Sequence, residues 1–93
     1  MKTIDKVANE IQTAREKYGP FNSTHEVYGV LKEELDEFWQ EVKLKTFSPD
    51  WNEEIKNNQS NEKQKAMIHE LTQVAAISLR AIDELEKNEI KWV

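Results

Sequence analysis

Acidic side chains recur in two parts of this sequence at a spacing that suits metal binding. Residues 33–37 read Glu-Glu-Leu-Asp-Glu, and a further acid, Glu70, follows in a separate stretch. On a helix, Glu34 and Glu37 would lie on one face, where like charges repel one another. A shared cation removes that repulsion. Mg²⁺ fits the role because it is a hard ion that prefers carboxylate oxygens and keeps several waters.

A helical projection separates the acids of the first stretch into two groups. At about 100° per residue, an apolar stripe forms from Val27, Leu31, Leu35, Phe38 and Val42. One border of the stripe carries three carboxylates, those of Glu34, Glu37 and Glu41. Glu33 and Asp36 point to the far side. For this helix alone, a solvated acidic face without an ion remains the alternative.

Glu70 has the most apolar setting of these acids. In projection it falls between Ala81 and Ile77, within a broad apolar arc centred on Leu71, and Gln73 follows at the edge of that arc. A carboxylate in such a position must be paired, protonated or bound to metal, because burying it bare is costly. Two interpretations stay open: a metal ligand, or a salt bridge to a lysine of a neighbouring helix.

Two helices are predicted in the first half of the chain. The first begins with Thr3 as its cap, runs to about Lys17 and ends at a Gly-Pro pair. The second begins at a capping box, in which Ser23 caps the helix and Glu26 reaches back to the amide of the cap residue. It runs to about Lys45.

The second half is predicted to hold one long helix. After a break at residues 46–50, we expect a helical turn at residues 50–56 and a flexible connection at residues 57–61. The long helix then covers about residues 62–87. The tail, residues 88–93, alternates polar and apolar side chains and is either a frayed turn or a short pairing strand.

Composition narrows the class of protein. The 93 residues suit one domain, and two Gly and two Pro favour long helices over a many-stranded sheet. The net charge of −5 argues against a partner that is a nucleic-acid polymer, although a cation can reverse the local sign for a nucleotide. No apolar run approaches the roughly 20 residues that cross a bilayer. We therefore expect a cytoplasmic protein with no membrane partner.

The two acidic stretches resemble a known pair of motifs. Residues 33–37 are similar to the E-E-x-x-E motif of the all-α nucleotide pyrophosphohydrolases, the superfamily of MazG and the dimeric dUTPases. Residues 70–73 are similar to the second motif, E-x-x-D, with Gln73 in place of the final Asp. Residues 25–31 and 74–80 also resemble small MazG-like proteins of bacteria and their phages. The resemblance covers roughly residues 21–85.

The resemblance implies a reaction and a set of metal ligands. The reaction is the Mg²⁺-dependent hydrolysis of a nucleoside triphosphate to the monophosphate and pyrophosphate, with Mn²⁺ as a substitute ion. Glu33 would be an additional ligand or the group that orients the attacking water. Gln73 carries no charge, but its amide oxygen can coordinate a hard cation. The implied metal ligands are Glu34, Glu37, Glu70 and Gln73.

Substrate contacts are harder to assign from the sequence. Trp39 is a candidate for stacking on the base, and its alternative role is core packing. Arg80 is a candidate for contacting phosphates, and its alternative role is a solvated surface cation.

We expect an all-α fold of antiparallel long helices whose four-helix-bundle core is completed by oligomerisation. The apolar arc of the last helix is too wide for a three-helix monomer to cover, so a homodimer or homotetramer is predicted. Two alternatives to an active enzyme stay open. One is a family member that binds nucleotide or metal with little turnover, which Gln73 supports. The other is a structural helical oligomer with solvated acids that serves as an interaction protein.

Overall fold

The fold consists of three helices. The computed structural model describes residues 2–43 and 52–92, with helices α1 (Thr3–Tyr18), α2 (Thr24–Lys43) and α3 (Glu53–Glu86). Within these residues the only β pairing is a single parallel bridge between Ser23 and Lys91. The predicted all-α class is therefore confirmed.

Helix α3 is the central element. It packs against both α1 and α2, whereas α1 and α2 do not approach each other in the described part of the chain. Gln73 meets Glu10, and Asp83 meets Arg15, so α1 runs parallel to α3. Helix α2 begins beside the tail that follows α3 and is therefore antiparallel to both. This arrangement leaves a groove between α1 and α2, with α3 as its floor.

Helix α1 follows the predicted span, except at its first residue. Lys2 precedes the helix and no side chain caps it, so the prediction that Thr3 is the cap is wrong. The helix ends where Gly19 adopts φ 68° and donates its N–H to the carbonyl oxygen of Arg15 at 3.0 Å. Glycine takes this positive φ without steric cost, and Pro20 then prevents the helix from continuing.

Helix α2 begins with half of the predicted capping box. The Ser23 hydroxyl accepts the backbone N–H of Glu26 at 3.2 Å, as predicted. The Glu26 carboxylate instead accepts the backbone and side-chain amides of Asn22, one residue before the cap. Both contacts still fasten the start of the helix. The described part of α2 stops at Lys43, so the end predicted at Lys45 lies outside the described residues.

Helix α3 begins nine residues earlier than predicted. The helix runs through residues 57–61, so the flexible connection predicted there is wrong. These polar residues have helix propensities only about 0.5 kcal/mol below alanine, and no Gly or Pro interrupts the span. Every described side chain from residue 53 to residue 62 is exposed. The break predicted at residues 46–50 and the aromatic Trp51 lie outside the described residues.

Helix α3 ends in a Schellman motif. Asn88 adopts φ 57° and donates its N–H to the carbonyl oxygen of Leu85 at 3.1 Å. Glu89 donates its N–H to the carbonyl oxygen of Glu84 at 2.8 Å. Asparagine tolerates this left-handed conformation better than most residues, and the motif satisfies carbonyls at the helix end. The tail is thus reversed toward the start of α2.

The buried core gathers around that returning tail. Ile90 packs with three buried side chains, Phe21, Ile77 and Ala81, and the half-buried Val27, Val30 and Leu31 lie against them. The alternative of a pairing tail is confirmed only as the single Ser23–Lys91 bridge, where Thr24 donates its N–H to the carbonyl oxygen of Lys91 at 3.0 Å. The core therefore closes one end of the groove.

A second apolar surface is left uncovered. Leu35 is 49% exposed on α2, although it was predicted to lie in the core stripe, and Trp39 is 55% exposed. On α3, Leu71 and Ile82 are 47% and 50% exposed. We name Leu35, Trp39, Leu71 and Ile82 the apolar face. No helix in the described part of the chain is long and apolar enough to cross a membrane.

Candidate metal centre

Three carboxylates from two helices meet in the structure. Glu34 and Glu37 of α2 and Glu70 of α3 each bring one oxygen within 4.8 Å of the others. The i,i+3 spacing places the first two on one face of α2, and the packing of α2 against α3 brings Glu70 opposite them. We call these residues the carboxylate cluster.

Two oxygens of the cluster are buried without a partner. Oε2 of Glu34 and Oε2 of Glu70 are withdrawn from solvent and accept no hydrogen bond. An unsatisfied buried polar atom costs about 1–3 kcal/mol, and more when the group is charged. The predicted alternative of a salt bridge between Glu70 and a lysine is not seen among the described residues. A proton or a cation is needed to offset this cost.

The pKa values of Glu34 and Glu37 reflect the same cost of burying negative charge. Burial, reinforced by the neighbouring carboxyls of Glu70 and Glu37, raises the pKa of Glu34 from 4.5 to about 8. Hydrogen bonding with Glu70, followed by burial, raises the pKa of Glu37. A hydrogen bond between two carboxyls requires that one of them carry a proton. Without a cation, the cluster therefore retains a proton near neutral pH, and a divalent cation would displace it.

The donor set fits Mg²⁺ or Mn²⁺ better than a softer metal. All three ligand candidates are carboxylate oxygens, which such hard ions prefer. The chain has no cysteine, and no histidine belongs to the cluster in the described residues, so a zinc site of the usual kind does not form here. Glu37 is exposed, which leaves one side of the cluster open to water or substrate.

Gln73 lies beside the cluster and is hydrogen-bonded to Glu10, which was not among the predicted site residues. Its Nε2 donates to Oε2 of Glu10 on α1 at 2.8 Å. Gln73 lines the groove together with Glu34 but is not one of the three clustered groups. The signal for Glu10 was available, since it lies three residues after the buried Val7 on the face of α1 that packs on α3.

The groove joins the cluster to the closed end of the fold. Its volume is about 550 Å³, within the range of roughly 300–1,000 Å³ that is usual for small-molecule sites. Glu34 and Gln73 line one end, and the aromatic rings of Tyr18 and Phe21 line the other. Glu26 and Glu34 both line it along α2, which corresponds to a length of about 12 Å.

Arg80 lines the groove floor, but its charge is already balanced. Its Nε donates to Oε2 of Glu84 at 3.2 Å, and both side chains are buried. The guanidinium carbon lies 3.7 Å from the ring centroid of Phe21. The backbone N–H of Phe21 in turn donates to Oε1 of Glu84 at 2.6 Å. Arg80 therefore joins α3 to the turn that precedes α2.

Glu84 was missed in the sequence although its signal matched that of Glu70. It follows Ile77 by seven residues and Ala81 by three, so it shares their face of α3. An acid on that buried face requires a partner, and Arg80 at i−4 was the nearest candidate. Arg80, a candidate for contacting phosphates, thus has a structural partner for its charge, and its alternative role as a solvated surface cation is wrong because the side chain is buried.

The remaining predicted site residues lie outside the cluster and the groove. Glu33 is exposed next to the cluster, and its charge contributes to raising the pKa of Glu37. Glu41, predicted to extend the ladder of carboxylates, is not part of the cluster. The ring of Trp39 lies on the apolar face with the Lys43 ammonium 5.9 Å from its centroid, and it does not line the groove.

Comparisons with known proteins add no relative. No protein-family model, curated protein or solved structure matches the chain. The resemblance of the acidic motifs to MazG-like proteins therefore stays a prediction. The functional proposal depends on the carboxylate cluster, the groove and their geometry.

Proposed function

We propose that this chain is a divalent-cation-dependent nucleoside triphosphate pyrophosphohydrolase that releases a nucleoside monophosphate and pyrophosphate. The observation that carries the proposal is the pair of buried, unpartnered oxygens on Glu34 and Glu70 within a three-carboxylate cluster. A solvated acidic helix face would leave such oxygens hydrated. Glu34 also lines one end of the groove, which provides space for a ligand beside the cation.

The cluster residues would hold the cation. Glu34, Glu37 and Glu70 supply carboxylate oxygens for Mg²⁺, or for Mn²⁺ in its place, and Gln73 supplies a neutral amide oxygen. When bound, the ion offsets the phosphate charge and lowers the pKa of water. The raised pKa of Glu34 in the metal-free chain means that cation binding is coupled to proton release.

The other residues orient the reactants. Glu33, exposed beside the cluster, would accept a hydrogen bond from the attacking water and orient it. The groove binds the nucleoside along α2, with the exposed ring of Tyr18 available to the base. The role of Arg80 is to position Phe21 through Glu84, while its side chain forms part of the groove floor.

A second copy of the chain would cover the apolar face. Leu71 and Ile82 are about half exposed, so covering each of them stabilises an assembly by about 1 kcal/mol, roughly half the value for a fully exposed side chain. Pairing α2 and α3 of two subunits gives the four-helix core of a homodimer, or of a homotetramer built from two dimers. Trp39 lies on this face, so it would contact substrate only across such an interface.

Pyrophosphate release tests the enzyme proposal. The purified chain is incubated with canonical and modified deoxynucleoside triphosphates plus Mg²⁺, and pyrophosphate is measured. Glu34→Gln should lower the rate by about 100-fold or more, because several kcal/mol of charge stabilisation is lost. Glu41→Gln is the matched control, on the same helix but outside the cluster. The proposal is wrong if no triphosphate yields pyrophosphate, or if both variants match the wild type.

A binding protein with little turnover is the second candidate, because Gln73 provides no charge or base at the site. In that case Mn²⁺ should raise the melting temperature by mass action while no pyrophosphate appears. A structural interaction protein with solvated acids should show only the screening effect of added salt, equal for Mg²⁺ and for a monovalent salt of the same ionic strength.

A further inference from the structure

Gln73 and Glu10 form a contact that bears on the proposed cation site. Gln73 lies one turn after Glu70 on α3 and lines the groove with Glu34. We propose that Glu10 is a positioning residue for the cation: it fixes the Gln73 amide so that the carbonyl oxygen serves the site, and it supplies the negative charge that the amide lacks. This inference rests on the proposed function.

The chemistry of the contact determines which way the amide is turned. A glutamine amide has a donor end and an acceptor end of nearly equal shape, and only its partners distinguish the two. A carboxylate accepts hydrogen bonds and cannot donate one when ionised. The end of Gln73 that meets Oε2 of Glu10 at 2.8 Å must therefore be the NH₂ group. The carbonyl oxygen is left as the atom that can coordinate a cation in the groove.

The hydrogen bond to Glu10 also makes the carbonyl oxygen of Gln73 a stronger metal ligand. A hydrogen bond to an ionised acceptor is about twice as strong as a neutral one, so donation to Glu10 polarises the amide toward its oxygen. Carboxylates that hydrogen-bond to a metal ligand raise its basicity and hold its orientation. Glu10 lies behind Gln73 as seen from the cation, and its negative charge also attracts the cation. Glu10 thus compensates for Gln73 without belonging to the carboxylate cluster.

The packing of α1 against α3 determines the position of Glu10. It is half-buried between Val7, which is buried, and Ala14, which lines the groove. By contrast, Glu16 on the same helix is exposed and accepts a hydrogen bond from Gln12, one turn away. Glu16 is therefore a matched control for the loss of one negative charge on α1.

Direct Mn²⁺ titration of the full chain tests the role of Glu10. Mn²⁺ affinity is measured for the wild type and for Glu10→Gln, with Glu16→Gln as the control and circular dichroism to verify folding. Glu10→Gln should weaken Mn²⁺ binding by about 10–100-fold, as is typical when a carboxylate behind a metal ligand is removed. Glu16→Gln should leave the affinity unchanged. Glu10→Asp, which keeps the charge, should weaken binding less than Glu10→Gln.

A double-mutant cycle on Glu10 and Gln73 tests whether their hydrogen bond positions the Gln73 amide for the cation or only joins the two helices. In the Gln73→Asp background the ligand is a carboxylate, which needs no partner to orient an amide, so the further change Glu10→Gln should weaken Mn²⁺ binding much less than it does in the wild type. A bond that only fastens α1 to α3 would lower the melting temperature of the metal-free protein and leave Mn²⁺ affinity of the folded chain as in the wild type.

The outcomes distinguish this inference from the proposed function. If the wild type binds Mn²⁺ and Glu34→Gln abolishes binding, while both Glu10 variants bind as the wild type does, the role of Glu10 is overturned and the cation site stands. If the wild type binds no Mn²⁺, the cation site fails and the role of Glu10 fails with it. Should Glu10→Gln not fold, the comparison of Glu10→Asp with the wild type decides the matter.

Discussion

Arg80 and Glu84 form a buried ion pair one helical turn apart on α3, with Nε of Arg80 donating to Oε2 of Glu84 at 3.2 Å. Glu84 also accepts a hydrogen bond from the backbone N–H of Phe21. One carboxylate therefore binds both the Arg80 guanidinium and the turn between α1 and α2. Both oxygens of Glu84 are thereby occupied. The pair joins the closed end of the groove to the core around Ile90.

Breaking this pair should destabilise the protein strongly. Glu84→Leu leaves the Arg80 charge buried without a partner and removes the acceptor of the Phe21 amide. We expect a loss of about 3–5 kcal/mol in the free energy of unfolding, measured by urea denaturation. The double variant Arg80→Leu/Glu84→Leu should lose less than the sum of the single changes, because no unpaired charge remains. An Arg80→Leu variant with wild-type stability but lower pyrophosphate release would instead indicate a phosphate contact.

The stability of the metal-free protein should fall as the pH rises. The pKa of Glu34 is about 8 in the folded chain and 4.5 ordinarily, so between these values the folded chain holds a proton that the unfolded chain releases. The stabilisation is fully present below pH 4.5 and is lost as the pH rises through about 8. Melting temperatures in a chelator across this window should show the decline. Glu34→Gln should flatten it, and Mg²⁺ should raise the melting temperature most at the alkaline end.

The apolar face should control assembly. Light scattering after size exclusion should show a dimer or tetramer for the wild type and a smaller species for Ile82→Asp, because a charge cannot be buried there unpaired. Ile4→Asp is the control, since Ile4 is 64% exposed on α1 and is not part of the apolar face. A wild type that remains monomeric at every concentration would contradict the predicted dimer.

The first turns of α3 should be dispensable for the core. Ser60→Pro should interrupt the helix, because proline removes a backbone donor and clashes with the preceding turn. Far-ultraviolet circular dichroism should lose helical signal relative to Ser60→Ala. The melting temperature should change little, since every described side chain of residues 53–62 is exposed. A large fall in melting temperature would mean that this segment packs on a partner.

Helical periodicity and the residues that begin and end helices predicted a good part of this molecule. The start of α2 depends on Ser23, which caps it, and the end of α1 depends on Gly19, which takes a positive φ; both are local effects. The placement of Glu34 and Glu37 on one face is likewise local geometry. The start of α3 was mispredicted because polar residues without Gly or Pro are only weakly unfavourable in a helix, and a weak preference does not decide its boundary.

The sequence by itself therefore determined the extent of α1, the start of α2 and the carboxylates that each helix could offer, but not where α3 begins. Only the tertiary structure decided that Glu70 meets Glu34 and Glu37, that Glu10 holds Gln73, and that α1 and α2 stand apart to leave a groove. The physical reason is that periodicity specifies which side of a helix is apolar but not which helix covers it. That choice depends on the packing of side chains far apart in the chain.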